Sequence, residues 1–217
     1  MTEEHAIIPL PSPELDSAYS IEQALLNRQS VRSYTNEALS LADLAQLLWA
    51  CLGIRKVQTV ERGGKEMQFR FRTTPSAGAL YPLELYVLVK RVEGLEAGLY
   101  HYLPGPGKDE HSLKLLRAGE QSAELADAAL GQSCITDSAA NLIIAGVIER
   151  TATKYGKRAR RYVQIEVGHA AQNVCLQAPG LGIGVVMLGA FDDDDMREFV
   201  GEPVEPFYIL SVGKLIK

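Results

Sequence analysis

The sequence predicts an α+β fold, a central sheet with flanking helices, and three observations carry that expectation. Leu41, Leu44, Leu47, Leu48, Cys51 and Leu52 recur at helical spacing between Ser40 and Gly53, the pattern of an amphipathic helix. Asn141 to Ile148 is a continuous apolar run of strand length, as in a buried strand. Helical and strand patterns mix along the chain with no internal repeat and no long linker, so one domain is expected over 20–217, behind an extended arm over 1–19.

The arm carries Pro9, Pro11 and Pro13, a density that blocks helix and favours extended backbone. Ser20-Ile21-Glu22-Gln23 reads as a capping box, which opens a short helix ending near Asn27. The helix behind Ser40 follows. Residues 54–73 are polar and receive no element. Leu83 to Val89 and Gly98 to Tyr102 read as a hairpin-like pair of strands with Gly94 in the turn. Pro104–Gly107 is a loop and 120–131 looks helical. A long helix is expected from Val163 to about Ala178, with Gly168, Ala170 and Ala171 permitting close helix approach and Pro179 ending or kinking it. Val185 to Leu188, Asp192 to Val200 and Phe207 to Val212 read as strand, helix and strand.

Bulk properties exclude several classes. The chain has 217 residues, 47% apolar and 23% charged, which is ordinary globular composition. A formal charge of -5 gives no overall bias toward nucleic acid. Cys51, Cys134 and Cys175 lie far apart with no metal-ligand spacing, so no metal site is expected and a reducing compartment is favoured. The acidic start Met1–His5 lacks a basic signal-peptide region, and no apolar run approaches the ~20 residues of a membrane span. A cytoplasmic protein is the expectation.

Four constellations are candidates for chemistry. Arg28-Gln29-Ser30-Val31-Arg32 places two guanidinium groups and a hydroxyl within five residues. Arginine offers a bidentate fork to phosphate, and in extended backbone positions 28, 30 and 32 share a side. A solvated basic stretch explains the spacing equally well. Pro75-Ser76-Ala77-Gly78-Ala79 is a loop of small residues that a planar ring can approach, or simply a connection. Gly180, Gly182 and Gly184 read as a helix end with a tight turn, whereas Gly189 follows a buried strand, where a backbone amide can face a ligand. The basic run from Lys154 to Tyr162 fits a phosphate contact or a solvated lid. His169 on its helix reads as a core histidine, and His101 and His111 have no evident partner. No nucleophile elbow or serine triad is present, and Asp192–Asp195 suits a helix start.

Taken together and in order, these words resemble the nitroreductase family, specifically its SagB-type dehydrogenase branch. The resemblance rests on Arg28-x-Ser30-x-Arg32-x-Tyr34, Pro75 to Glu84 (PSAGALYPLE), Gly98 to Tyr102, Lys154-Tyr155-Gly156-x-Arg158-x-x-Arg161-Tyr162, Gly168 to Asn173, and Gly182-x-Gly184 followed by Gly189 to Asp193. It covers the chain from about residue 20 onward. It implies a mostly antiparallel sheet wrapped by helices, an intertwined homodimer, and FMN bound at the subunit interface.

By that resemblance Arg28, Gln29 and Ser30 hold the FMN phosphate and ribityl chain, and Arg32 lies near the flavin pyrimidine. Ser76, Ala77 and Gly78 contact the flavin, often from the partner subunit, and Leu188 and Gly189 face flavin N5. Lys214 is the remaining C-terminal cation, with Arg158 or Arg161 expected to compensate for those absent. The implied reaction is ping-pong hydride transfer from NAD(P)H to a nitroaromatic, quinone or similar electrophile. The flavin carries the chemistry and no catalytic side chain is assigned. The alternatives are a peptide azoline dehydrogenase working with partner proteins, whose lysine–tyrosine pair is not located in this sequence, and a non-catalytic flavin-binding protein.

Overall fold

The computed structural model describes residues 6–107, 109–201 and 203–216, so the acidic Met1–His5 start lies outside the described residues. The proline-spaced arm is extended and contributes a short strand, Ile7–Pro9 (β1). Ser20 caps Ile21–Asn27 (α1) with a full capping box: its hydroxyl accepts from the Gln23 amide at 3.2 Å, and Gln23 Oε1 accepts from the Ser20 amide at 3.0 Å. Ser40 caps Leu41–Leu52 (α2) through the Asp43 amide at 3.0 Å.

The unassigned stretch is a hairpin of Ile54–Arg62 (β2) and Lys65–Arg72 (β3). Gly63 and Gly64 both take left-handed φ, +60° and +72°, as a tight two-residue hairpin turn requires. Among the described residues the hairpin forms a two-stranded sheet of its own. Leu83–Val89 (β4) and Gly98–Leu103 (β5) form the expected antiparallel pair. Ser112–Ala118 (β6) is a strand with no counterpart in the sequence reading. The helical stretch near 120–131 is Ser122–Ala128 (α3), and Ser133–Asp137 (α4) is a further short helix.

Ala140–Gly146 (β7) is buried at every position, as its continuous apolar run predicts. Ile148 does not finish that strand but opens Ile148–Tyr155 (α5). The long helix Ala159–Gly180 (α6) starts before Val163 and runs through Pro179. The helix closes at Gly180, one residue beyond Pro179, close to the expected end. Ile183–Leu188 (β8), Asp193–Val200 (α7, capped by Asp192) and Glu205–Lys214 (β9) complete the chain.

Seven strands form one antiparallel sheet in the order β1-β6-β5-β4-β7-β9-β8. Side chains alternate between its faces. Leu85, Val87, Leu142, Ile144, Leu210 and Val212 pack on one side against α2 and α6. Leu88, Ile143, Val186, Leu188 and Ile209 pack on the other against α3, α4 and α7. The result is three layers, with β8 as the open edge of the sheet.

Candidate functional site

The residues after α1 run onto that open edge. Ser30 forms a parallel bridge with Val185, and the Val31 amide donates to the Val185 carbonyl at 2.9 Å. Two paired glycines make this possible. A Cβ on Gly184 would stand 2.6 Å from Val31 Cγ1, and one on Gly213 would stand 2.7 Å from Tyr34 Cγ. Gly184 and Gly213 are register partners in β8 and β9, so together they leave a slot that Val31 and Tyr34 fill. Tyr34 is buried and its hydroxyl bonds the Val31 and Ser211 carbonyls at 2.8 and 2.9 Å.

Arg28, Ser30 and Arg32 are thereby fixed in the backbone along this edge. Burial pushes the Cys175 thiol up to about 11, and the Arg28 charge on the α6 side pulls against it. Arg32 does the same on the other layer: burial raises the Cys134 thiol and the Tyr34 hydroxyl, and Arg32 opposes both rises. The segment lies along the β8 edge. Arg28 is half-buried, and Gln29, Ser30 and Arg32 are exposed. Among the described residues, no side-chain hydrogen bond or ion pair is formed by any of these four. The Arg28 guanidinium and the Ser30 hydroxyl on this rigid edge, with no protein acceptor among the described residues, fit a phosphate dianion, and Arg32 adds a further cation along the same segment.

Gly189 lies beyond the end of β8. Strand rise places Leu188 roughly 10 Å from Val185, so the edge segment and the Leu188–Gly189 backbone are separated by about the length of a small nucleotide. Gly189 is exposed, and a Cβ there would meet only Tyr208, at 3.5 Å. The fold itself does not demand glycine at this position, whereas a planar ring laid on the backbone would.

Ser76, Ala77 and Gly78 form a tight turn before β4. They are only partly covered, but Ser76 and Ala77 make bonds to the protein rather than offering them outward. The Ala77 amide donates to Glu166 Oε1 at 2.8 Å, and Ser76 Oγ accepts from the Tyr81 amide at 2.9 Å. A Cβ on Gly78 would stand 2.9 Å from both Lys154 Nζ and the Tyr155 hydroxyl. The adjacent Lys154 and Tyr155 side chains thus meet at this loop, more than seventy residues away in sequence. Behind the loop, Glu84 binds His101 at 3.0 Å and Arg150 at 2.5 Å. Burial opposes its ionisation, but the His101 bond and the Arg150 charge hold the carboxyl below its ordinary value.

Lys214 gives its ammonium to Asp43 at 2.8 Å, so its charge is shared with α2. Arg158 and Arg161 are exposed at the start of α6. The histidines differ from expectation. His169 is exposed rather than in the core. His101 has Glu84, and stacks on Tyr86 at 4.9 Å. His111 is buried between the Tyr102 hydroxyl at 2.9 Å and the Pro11 carbonyl at 2.7 Å. Among the described residues no group of His, Cys, Asp and Glu is arranged to hold a metal ion, and no helix is long and apolar enough to cross a membrane.

Known proteins share this fold. The family model described as the nitroreductase family matches residues 25–214. A protein of Methanocaldococcus jannaschii, named as a candidate nitroreductase, is 44% identical over 197 residues, 91% of this chain and 92% of its own. A nitroreductase-named structure from Anabaena variabilis superposes with a TM-score of 0.78 at 26% identity; 99% of this chain is matched, and it spans 42% of the longer one. A chain of the Escherichia coli microcin synthetase McbBCD complex with truncated pro-MccB17 shares the fold, with a TM-score of 0.68 at 22% identity over 94% of this chain and 76% of that one.

Proposed function

The chain belongs to the nitroreductase family and is an oxidoreductase, and on that premise we propose that it is an FMN-dependent reductase taking electrons from NAD(P)H to a small electrophile such as a nitroaromatic or quinone. The observation that carries the reading is the β8 edge, where Arg28, Ser30 and Arg32 have no protein acceptor among the described residues and the strand leads to a glycine the fold does not require. A bound flavin supplies the two-electron chemistry. This chain's residues supply place and field: Arg28 and Ser30 take the phosphate, Gln29 the ribityl region, and Arg32 puts positive charge beside the ring edge that becomes anionic on reduction. Leu188 and Gly189 present backbone, and the Ser76–Gly78 loop walls the other side.

The active form in this reading is a homodimer, with loop and edge contributed by different subunits. Outward apolar residues support it: Leu26 on α1 is 83% exposed and Ile165 on α6 is 49% exposed. Two nonpolar side chains on adjoining helices suit burial against a second copy. The setting proposed is the cytoplasm. Apo-protein mixed with FMN and then anaerobically with NADH or NADPH should show flavin bands that bleach on mixing. Protein that takes up no FMN overturns the proposal, and flavin that stays oxidised favours a storage role.

A second reading has its own support. Lys154 and Tyr155 bring an ammonium and a phenol to the Gly78 loop, and the microcin synthetase chain shares the fold. A peptide azoline dehydrogenase acting with partner proteins would use such protic groups. It predicts little turnover of quinones by the isolated chain, and activity restored by partners but lost in Tyr155→Phe.

A further inference from the structure

We infer that Glu166 of α6 is a positioning residue that holds the Ser76–Ala77 turn in the shape a flavin ring would meet. The inference deepens the FMN reading and rests on it for the identity of the ligand, though not for the contact itself.

Glu166 is 4% exposed and projects from the middle of a helix whose neighbours Val163, Val167 and Ala170 are core residues. A carboxylate there needs partners, because burial disfavours its charged form. Its partners come from the loop. The Ala77 amide donates to Oε1 at 2.8 Å. Burial raises the affinity of Glu166 for a proton, and the Ala77 bond and the nearby Ser76 side chain, with the charges of His169 and Arg72, oppose the rise. Ser76 Oγ accepts from the Tyr81 amide at 2.9 Å. The serine hydroxyl thus closes the turn on itself, and the next amide ties the turn to α6.

The turn needs holding. Gly78, Ala79 and Tyr81 have φ of +65°, +57° and +47°, so two non-glycine residues within four positions adopt the left-handed region. The far end of the turn is clamped separately. Arg150 Nη1 donates to the Tyr81 carbonyl at 3.2 Å, and the Arg72 guanidinium lies 5.4 Å from the Tyr81 ring centre. On the Ser76–Ala77 side, Glu166 is the side chain that reaches into the turn from another element. The Ala77 amide is therefore the latch between this turn and α6.

Three variants separate contact from charge. Glu166→Gln keeps length and an acceptor oxygen but no charge. Glu166→Asp keeps the charge but withdraws it by one methylene. Glu166→Ala removes both. Two readouts are used: amide hydrogen exchange over residues 76–81 in protein without flavin, and FMN binding by fluorescence. Contact predicts that Glu166→Asp and Glu166→Ala exchange this turn about tenfold faster, as loss of one buried hydrogen bond would allow, with Glu166→Gln near wild type. FMN binding should weaken in the same order. The pattern reversed, with Glu166→Asp like wild type and Glu166→Gln like Glu166→Ala, would overturn the inference, as would unchanged exchange in all three. Should Glu166→Ala not fold, the Glu166→Asp and Glu166→Gln comparison still decides. If wild type takes up no FMN, the function proposed above fails, and the exchange data still judge Glu166.

Discussion

The β8 edge and the Ser76–Tyr81 turn flank the same proposed ligand in opposite ways. On the edge, the backbone is locked by the Val185 bridge and the Gly184–Gly213 slot, while the side chains of Arg28, Ser30 and Arg32 have no hydrogen-bond or ion-pair partner among the described residues. In the turn, the hydroxyl of Ser76 and the amide of Ala77 are already bonded to the protein. The edge is built as a set of open donors on a rigid support. The turn is built as a surface, whose polar groups serve its own shape. Affinity for a charged ligand should therefore reside on the edge, and ring placement in the turn.

The largest break in this comparison should come from Arg28→Ala. Loss of a charge-assisted bond to phosphate weakens FMN binding by about tenfold to a hundredfold, and protein purified without added flavin should be largely colourless. Retained cofactor occupancy would remove Arg28 from the cradle. Next come the two glycines that differ in kind. Gly213→Ala drives a methyl into the Tyr34 ring and should cost about 1–3 kcal/mol in urea unfolding without ligand. Gly189→Ala meets only ordinary contact and should leave that stability within about 0.5 kcal/mol while weakening FMN binding. Equal losses of stability in the two would erase the distinction between structural and ligand-facing glycine.

A pH effect should be confined to the far edge of the sheet. Burial holds His111 below its ordinary value, against the Pro11 bond and the Asp109 charge. Its unfolded form takes a proton first as pH falls, so its contribution to stability is complete above about 6.5 and declines below. Urea midpoints at pH 7.5 and 5.5 should differ in wild type and converge in His111→Gln, with FMN affinity per folded molecule nearly unchanged. The smallest effect is expected from Arg158→Glu or Arg161→Glu: a few-fold loss of FMN affinity at low salt, shrinking as salt rises, if either exposed arginine supplements the phosphate charge. No loss in either leaves the β8 edge as the whole phosphate site.

What the sequence made legible follows from the range of each signal. The Ser20–Gln23 box and the α2 periodicity are local, and both helices stand where their residues imply. The run of β7 is apolar because both faces are covered, so it too declares itself. The β2–β3 hairpin is illegible because neither of its faces joins a core: Val57, Val60, Met67 and Phe69 are separated by polar residues and stay exposed. Only the Gly63-Gly64 turn signalled it. His111 looked partnerless because its acceptor, the Pro11 carbonyl, is a hundred residues away. Glu166 was invisible for the same reason: nothing in a helix sequence shows that a carboxylate will meet an amide 89 residues earlier. The Arg28-x-Ser30-x-Arg32 word was visible, but its place along a sheet edge needed Gly184 and Gly213.

The central claim is that this edge recognises a phosphate, and titrating apo-protein with FMN and with riboflavin tests it most directly. The account predicts that FMN binds at least about a hundredfold more tightly than riboflavin, a difference worth about 2.7 kcal/mol, and that Arg28→Ala removes most of that gap. Equal affinity for the two flavins in wild type, or a gap unchanged in Arg28→Ala, would contradict it.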